Sequence, residues 1–168
     1  MRRTVVARVA PLAAGAAVLA GCSAPAPPEV TFYADGESVH AQPWRYCDAL
    51  VTSCESDPDE PSVLDVRAGE PVQVSVPTDV AETPWLVNIQ YTDSEGTVRP
   101  IRQEVFTPGE RHAYTAVPQA PAEQLLVVEV QQLSKAYAAD AQGNPVVDES
   151  GRPQLVARAV WALRIDPS

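Results

Sequence analysis

Three cysteines, two histidines and 22 acidic side chains carry whatever chemistry this chain can do, and their spacing narrows it. Cys47 and Cys54 lie in RYCDALVTSC with six residues between them. A redox pair favours C-x-x-C, and a structural zinc site takes four Cys or His ligands at short spacings. The pair here has neither spacing, and the only histidines are His40 and His112. Once oxidised, Cys47 and Cys54 close a loop of eight residues. Constraining the unfolded chain in this way stabilises the fold by about 2.5 kcal/mol. Nucleophilic catalysis needs Ser or Cys beside a base, and no G-x-S-x-G, S-x-x-K or H-E-x-x-H string occurs. His40 falls in an early hairpin and His112 at the start of a strand, where both read as surface histidines. Paired carboxylates hydrolyse glycosidic bonds, but among 22 acids close pairs such as those in ESDPDE arise by chance. The reading is of a non-enzyme without a metal or a cofactor.

Whether the two thiols oxidise depends on compartment, and the N-terminal residues bear on that. Arg2, Arg3 and Arg8 precede an apolar run over residues 9–20. The run has the length of a secretory core and is too short to span a bilayer, which takes about 20 residues. It leads into Leu19-Ala20-Gly21-Cys22, which resembles a bacterial lipobox. The resemblance implies cleavage between Gly21 and Cys22 and a diacylglycerol on the Cys22 thiol. Each buried methylene contributes about 0.8 kcal/mol, so two acyl chains on one sulfur anchor stably where one does not. Residues 1–21 then read as a signal peptide, 22–28 as a lipidated Pro/Ala tether ending in SAPAPP, and 29–168 as one domain. The expected location is the extracytoplasmic face of the cell membrane. Thiols oxidise there, so Cys47 and Cys54 are expected to pair as a structural brace.

Removing residues 1–21 leaves 9 basic against 22 acidic side chains, a net charge of −13 over 147 residues. Such a surface repels phosphate backbones, which argues against nucleic-acid binding.

Alternation with period two dominates the domain. VTFYADGESVHA alternates on either side of Asp35-Gly36, a pair suited to a tight hairpin turn. Leu64 and Val66 share a face, Gly69-Glu70 turns the chain, and Val72, Val74 and Val76 alternate with Gln73 and Ser75. In PWLVNIQY, Trp85, Val87, Ile89 and Tyr91 face one way. Pro100 marks TVRPIRQEVF as an edge or a bulge. QLLVVEVQQL and PQLVARAVWALRI form the strongest pair, with Leu155, Ala157, Ala159, Trp161, Leu163 and Ile165 on one face. Residues 134–140 read as a place where a helical turn can replace the strand. Asp140 to Pro145 and Asp148 to Pro153 repeat D-x-x-G-x-P, and Asp93-Ser-Glu-Gly96 repeats half of it. An aspartate accepts the N–H two residues on, and glycine takes the left-handed position, so these are turns. A calcium loop needs further alternate carboxylates and a bidentate glutamate, which DAQGNPVVDESG lacks.

Eight or nine short strands with frequent turns predict an all-β, immunoglobulin-like β-sandwich. The run from VRAGEPVQVSVP to PWLVNIQY resembles the B and C strands of such domains, with Trp85 at the core tryptophan position. The inter-sheet disulfide of antibody domains is missing, because Val74 and Val128 stand where its cysteines would be. Cupredoxin copper takes two His, a Cys and usually a Met, and Met1, within the expected signal peptide, is the only methionine. The lipobox, VTFYADG, YCD followed by a second cysteine, and AGEPVQVSVP together resemble a family of uncharacterised actinobacterial lipoproteins carrying a domain of unknown function. The resemblance spans residues 19–166 and implies an envelope lipoprotein without supplying an activity. The expected role is a binding module for an envelope protein or polymer, with Trp44, Arg45 and Tyr46 beside the disulfide loop as its candidate face. Trp, Tyr and Arg are enriched at binding hot spots. The alternative is a carrier or sensor holding a small or lipidic ligand between the sheets.

Overall fold

The structure, a computed structural model, describes residues 26–56, 61–148 and 151–168. The expectations for residues 1–21, for Gly21 and Cys22, and for all but the end of the tether lie outside that set. So does the middle of ESDPDEP.

Eleven strands and one helical turn make up the described residues: β1 (Val30–Ala34), β2 (Glu37–Ala41), β3 (Arg45–Cys47), β4 (Cys54–Ser56), β5 (Ser62–Val66), β6 (Val72–Ser75), α1 (Thr78–Ala81), β7 (Trp85–Thr92), β8 (Arg102–Phe106), β9 (Ala113–Ala116), β10 (Gln124–Tyr137) and β11 (Leu155–Pro167). They form a four-stranded sheet in the order β2-β1-β6-β9 and a seven-stranded sheet in the order β4-β3-β11-β10-β7-β8, with β5 also on β11. All pairings are antiparallel except β5 with β11. This is the expected β-sandwich. The count exceeds eight or nine chiefly because the cysteine segment, read as a loop, contributes two three-residue strands. The segments read as B and C strands, β6 and β7, lie in opposite sheets, and β7, β10 and β11 run side by side as the C, F and G strands of such domains do.

Alternation placed most inward faces correctly; Leu155 and Ala157, expected on the inward face of β11, are only half-buried and lie beyond a register shift in its pairing with β10. Val72 and Val74 are fully buried while Gln73 and Ser75 are exposed. Trp85, Val87 and Ile89 meet Val128, Val130, Ala159, Trp161, Leu163 and Ile165 in one apolar cluster with Phe32 and Val30 of the smaller sheet. Val74 and Val128 are fully buried, so valines fill the place of an inter-sheet disulfide. The helical turn expected near residues 134–140 does not form: β10 continues as strand to Tyr137 and pairs there with Leu155. The cross-strand ladder to β11 satisfies backbone groups that a lone turn would leave to water. Helix α1 was not foreseen. At four residues it is too short to show a helical period, and it is held from outside, by the Gln132 amide donating to Asp79 O at 2.9 Å and Thr83 Oγ1 at 3.0 Å.

The Asp-x-x-Gly turns form as expected, and all three share one geometry. Asp93 Oδ1 accepts from Glu95 N and Thr97 N, Asp140 Oδ1 from Gln142 N and Asn144 N, and Asp148 Oδ1 from Arg152 N. Each Gly N–H returns to the Asp carbonyl at 2.9–3.0 Å. The Asn144 amide groups that bond Asp140 hold its carboxyl below the usual 3.8.

Candidate functional site

Strands β3 and β4 form a hairpin on the edge of the larger sheet, with Cys47 directly opposite Cys54. The two are joined in a disulfide with their Cα atoms 4.0 Å apart. Close spacing of this kind belongs to a non-hydrogen-bonded antiparallel pair, which brings side chains nearest to each other. Cys47 is buried, whereas Cys54 is exposed. The six residues between them are ordered by one carboxylate: Asp48 Oδ1 accepts the Thr52 amide at 2.7 Å and Oδ2 the Thr52 hydroxyl. Those bonds, the hydroxyl first, keep the Asp48 carboxyl below its usual 3.8. The Asp48 amide in turn donates to Ser53 O at 3.0 Å. Val51 adopts φ +59°, a left-handed conformation that a β-branched side chain resists. The loop tip thus combines local strain with an exposed apolar residue, since Leu50 is 69% exposed.

The three residues expected to form one face are divided between two. Tyr46 pairs with inward-facing Ala159 and packs against the core, whereas Arg45 pairs with Val160 on the outer side of the sheet. Consecutive strand residues point oppositely, so no single surface holds both. Arg158 fixes Tyr46 further: its guanidinium lies 5.6 Å from the ring centroid and donates to the hydroxyl at 3.3 Å. Trp44 sits just before the strand, its amide bonded to Val160 O at 3.0 Å, with its side chain 40% exposed. The exposed aromatic of the site is therefore Trp44, whereas Tyr46 is packed against the core.

The histidines lie elsewhere. His40 Nδ1 is 3.0 Å from Thr31 Oγ1, a cross-strand pair on the exposed face of the smaller sheet. His112 is exposed, and its carbonyl accepts from Val76 N at 2.9 Å. Among the described residues no group of three or more His, Cys, Asp or Glu side chains is arranged to hold a metal ion.

A charged cluster escaped the sequence reading. Glu123, only 6% exposed at its side chain, accepts from Arg102 at 2.7 Å and from the Gln119 amide at 3.2 Å. The Arg102 guanidinium also lies 4.2 Å from the centroid of Tyr91. Arg102 is on β8 and Glu123 just before β10, strands separated in sheet order by β7, so no local pattern pairs them. Nearby, a cleft of about 350 Å³ lies between Gly69-Glu70 and residues 118–121, and another of about 410 Å³ runs past Tyr33, Asp35 and Gln73.

Fold and site together define a disulfide-braced β-sandwich domain. The chain belongs to the family described as "Protein of unknown function (DUF2771)", which matches residues 23–166. It is similar to "Uncharacterized protein Mb0899c" of Mycobacterium bovis and "Uncharacterized protein Rv0875c" of Mycobacterium tuberculosis, each 30% identical over 153 residues, covering 90% of this chain and 86% of the relative. The expected resemblance to an uncharacterised actinobacterial family holds on these matches. No solved structure matches the chain significantly.

Proposed function

We propose that the chain is an extracytoplasmic lipoprotein, cleaved after Gly21 and anchored through acylated Cys22, whose domain is a non-enzymatic binding module for an envelope protein or polymer. The observation that carries the binding part is Trp44: a large aromatic left 40% exposed beside a hairpin stiffened by a disulfide. A rigid aromatic loses little conformational freedom on binding, which is why such anchors dominate interface energies. The anchoring part is supported by the basic start, the apolar run and Leu19-Ala20-Gly21-Cys22. The carrier alternative gains no support from the interior, where Phe32, Trp85, Trp161 and Leu163 occupy the space between the sheets.

Two measurements test the proposal. Cys22→Ala should move the protein from the detergent phase to the aqueous phase, and unchanged partitioning would refute lipidation. A photo-cross-linking phenylalanine at position 44 should capture a discrete envelope component that the same group at Val63, on the outer face beside β11, does not. Equal capture at both positions, or none at 44, refutes the assigned face.

A further inference from the structure

Past Ser134, its last buried residue, β10 leaves the sandwich together with its partner β11. Pairing with β7 ends at Gln132, and the β10–β11 register shifts twice before Tyr137 meets Leu155. Three chain segments then close on each other. Ala138 N donates to Gln154 O, Gln154 N to Val146 O and Val146 N to Ala138 O, at 2.8–2.9 Å. The turns beginning at Asp140 and Asp148 finish this knob. It exposes Tyr137 (59%), Val147 (51%) and Val146 (37%). Its aspartates are turned onto their own backbone amides, and Arg152 Nε also reaches Asp148 at 3.1 Å. Among the described residues, these exposed apolar side chains stand beside two carboxylates, Asp140 and Asp148, that are bonded within their own turns.

The tether leaves the domain at this same end. Thr31 of β1 pairs with Ser75, which leads into α1, and α1 is bonded to Gln132. Trp161 Nε1 donates to Pro28 O at 2.9 Å, and Trp161 pairs with Val130. Pro28 is thereby fixed at about the height of Val130. The six residue steps from Cys22 to Pro28 span at most about 22 Å, whatever their conformation. The seven steps of β10 from Val130 to Tyr137 amount to about 23 Å of strand contour, and the chain runs on from there into the Asp140 turn. Even at full extension the tether is no longer than the projection beside it, so an acyl chain in the bilayer brings the knob down to the lipid.

Resting on the lipoprotein reading above, we infer that the knob is a membrane-contact surface. Tyr137, Val146 and Val147 sit at the boundary between headgroups and acyl chains, and the opposite end of the sandwich points away from the membrane. That far end carries the Asp35-Gly36 turn, Tyr33 and both clefts, and it is braced by the Arg67–Asp35 pair at 2.7 Å. Tyrosine suits such a boundary because its ring is apolar and its hydroxyl wet.

Depth-dependent quenching decides the matter. Full-length acylated protein carrying Tyr137→Trp, and separately Tyr33→Trp, is incorporated into phosphatidylcholine vesicles with brominated acyl chains, and the emission added over the parent protein is measured. The expected result is a fall of about twofold or more for position 137, because an interfacial side chain enters about 5–10 Å into the boundary, and no fall for position 33. Val147→Trp, at another exposed site, is a second reporter and should behave as position 137. Absence of quenching at 137 and 147, as would follow if the knob instead bound a protein, overturns the inference, and so does equal quenching at 33. Flotation of the parent protein with the vesicles is scored separately. Material that fails to float refutes acylation itself, whereas floating protein with an unquenched knob refutes only the orientation.

Discussion

Gly69 offers the sharpest test of how tightly the far end of the sandwich is built. It sits at φ +81°, and its amide donates to Glu123 O at 3.0 Å. A Cβ placed there would lie 2.5 Å from the Pro121 carbonyl oxygen and 3.2 Å from its carbon, both backbone atoms. Gly36 supplies the control. Its φ is +90°, yet nothing lies within 4 Å of its Cβ position. Gly36→Ala therefore costs the left-handed conformation alone, about 1 kcal/mol. Gly69→Ala adds a displacement of the Pro121 backbone. Together these bring the loss to about 2–4 kcal/mol, since forcing atoms into a packed site typically costs about 1–3 kcal/mol. Urea unfolding followed by the fluorescence of buried Trp85 and Trp161 measures both variants. The difference between them should be about 1–3 kcal/mol. Equal losses would show that residues 118–121 yield freely and would sink the argument that this turn is locked against them.

The remaining expectations concern the brace, the charged cluster and acid stability. Replacing both cysteines, Cys47→Ser with Cys54→Ser, should lower stability by about 2.5 kcal/mol on the loop-entropy argument; peptide mapping without reductant should recover residues 47 and 54 linked, and a free thiol at either would contradict the structure. Arg102→Ala should cost about 3 kcal/mol in the same unfolding assay, because it strands a buried carboxylate. Arg102→Met combined with Glu123→Leu should recover most of that loss, and failure to recover it would place the cost in packing rather than in charge. The Arg67 hydrogen bonds hold the Asp35 carboxyl below its usual 3.8. The stability this contributes is present above that value and is lost as pH falls through the lower folded-state value. Between wild type and Asp35→Asn, the difference in urea midpoint should therefore shrink as pH drops below 3.8, and a difference that grows instead would reverse the assigned sign.

The fold was legible because its signals are local. A residue and its second neighbour share a face whatever the rest of the chain does, so Val72, Val74, Trp85, Val87 and Trp161 could be assigned inward before any pairing was known. The three Asp-x-x-Gly turns could be recognised because a side chain bonding its own backbone needs no distant partner. The candidate site was legible only in part. The Cys47–Cys54 pair could be expected only by setting Cys22 aside as the lipobox residue, and the exposure of Trp44 and the inward packing of Tyr46 depend on where β3 lies against β11.

What the sequence determined by itself is thus the strand character, most of the inward faces and the turns. The tertiary structure alone decided that β11 shares one edge between β3 and parallel β5, that Arg102 meets Glu123, and that Ala138, Val146 and Gln154 close into a knob on the side where the chain enters the domain. The physical reason is the range of the forces. Backbone sterics and side-chain alternation act within a few residues, whereas strand partners are chosen by burying many apolar faces at once, a sum that no single stretch of the chain contains.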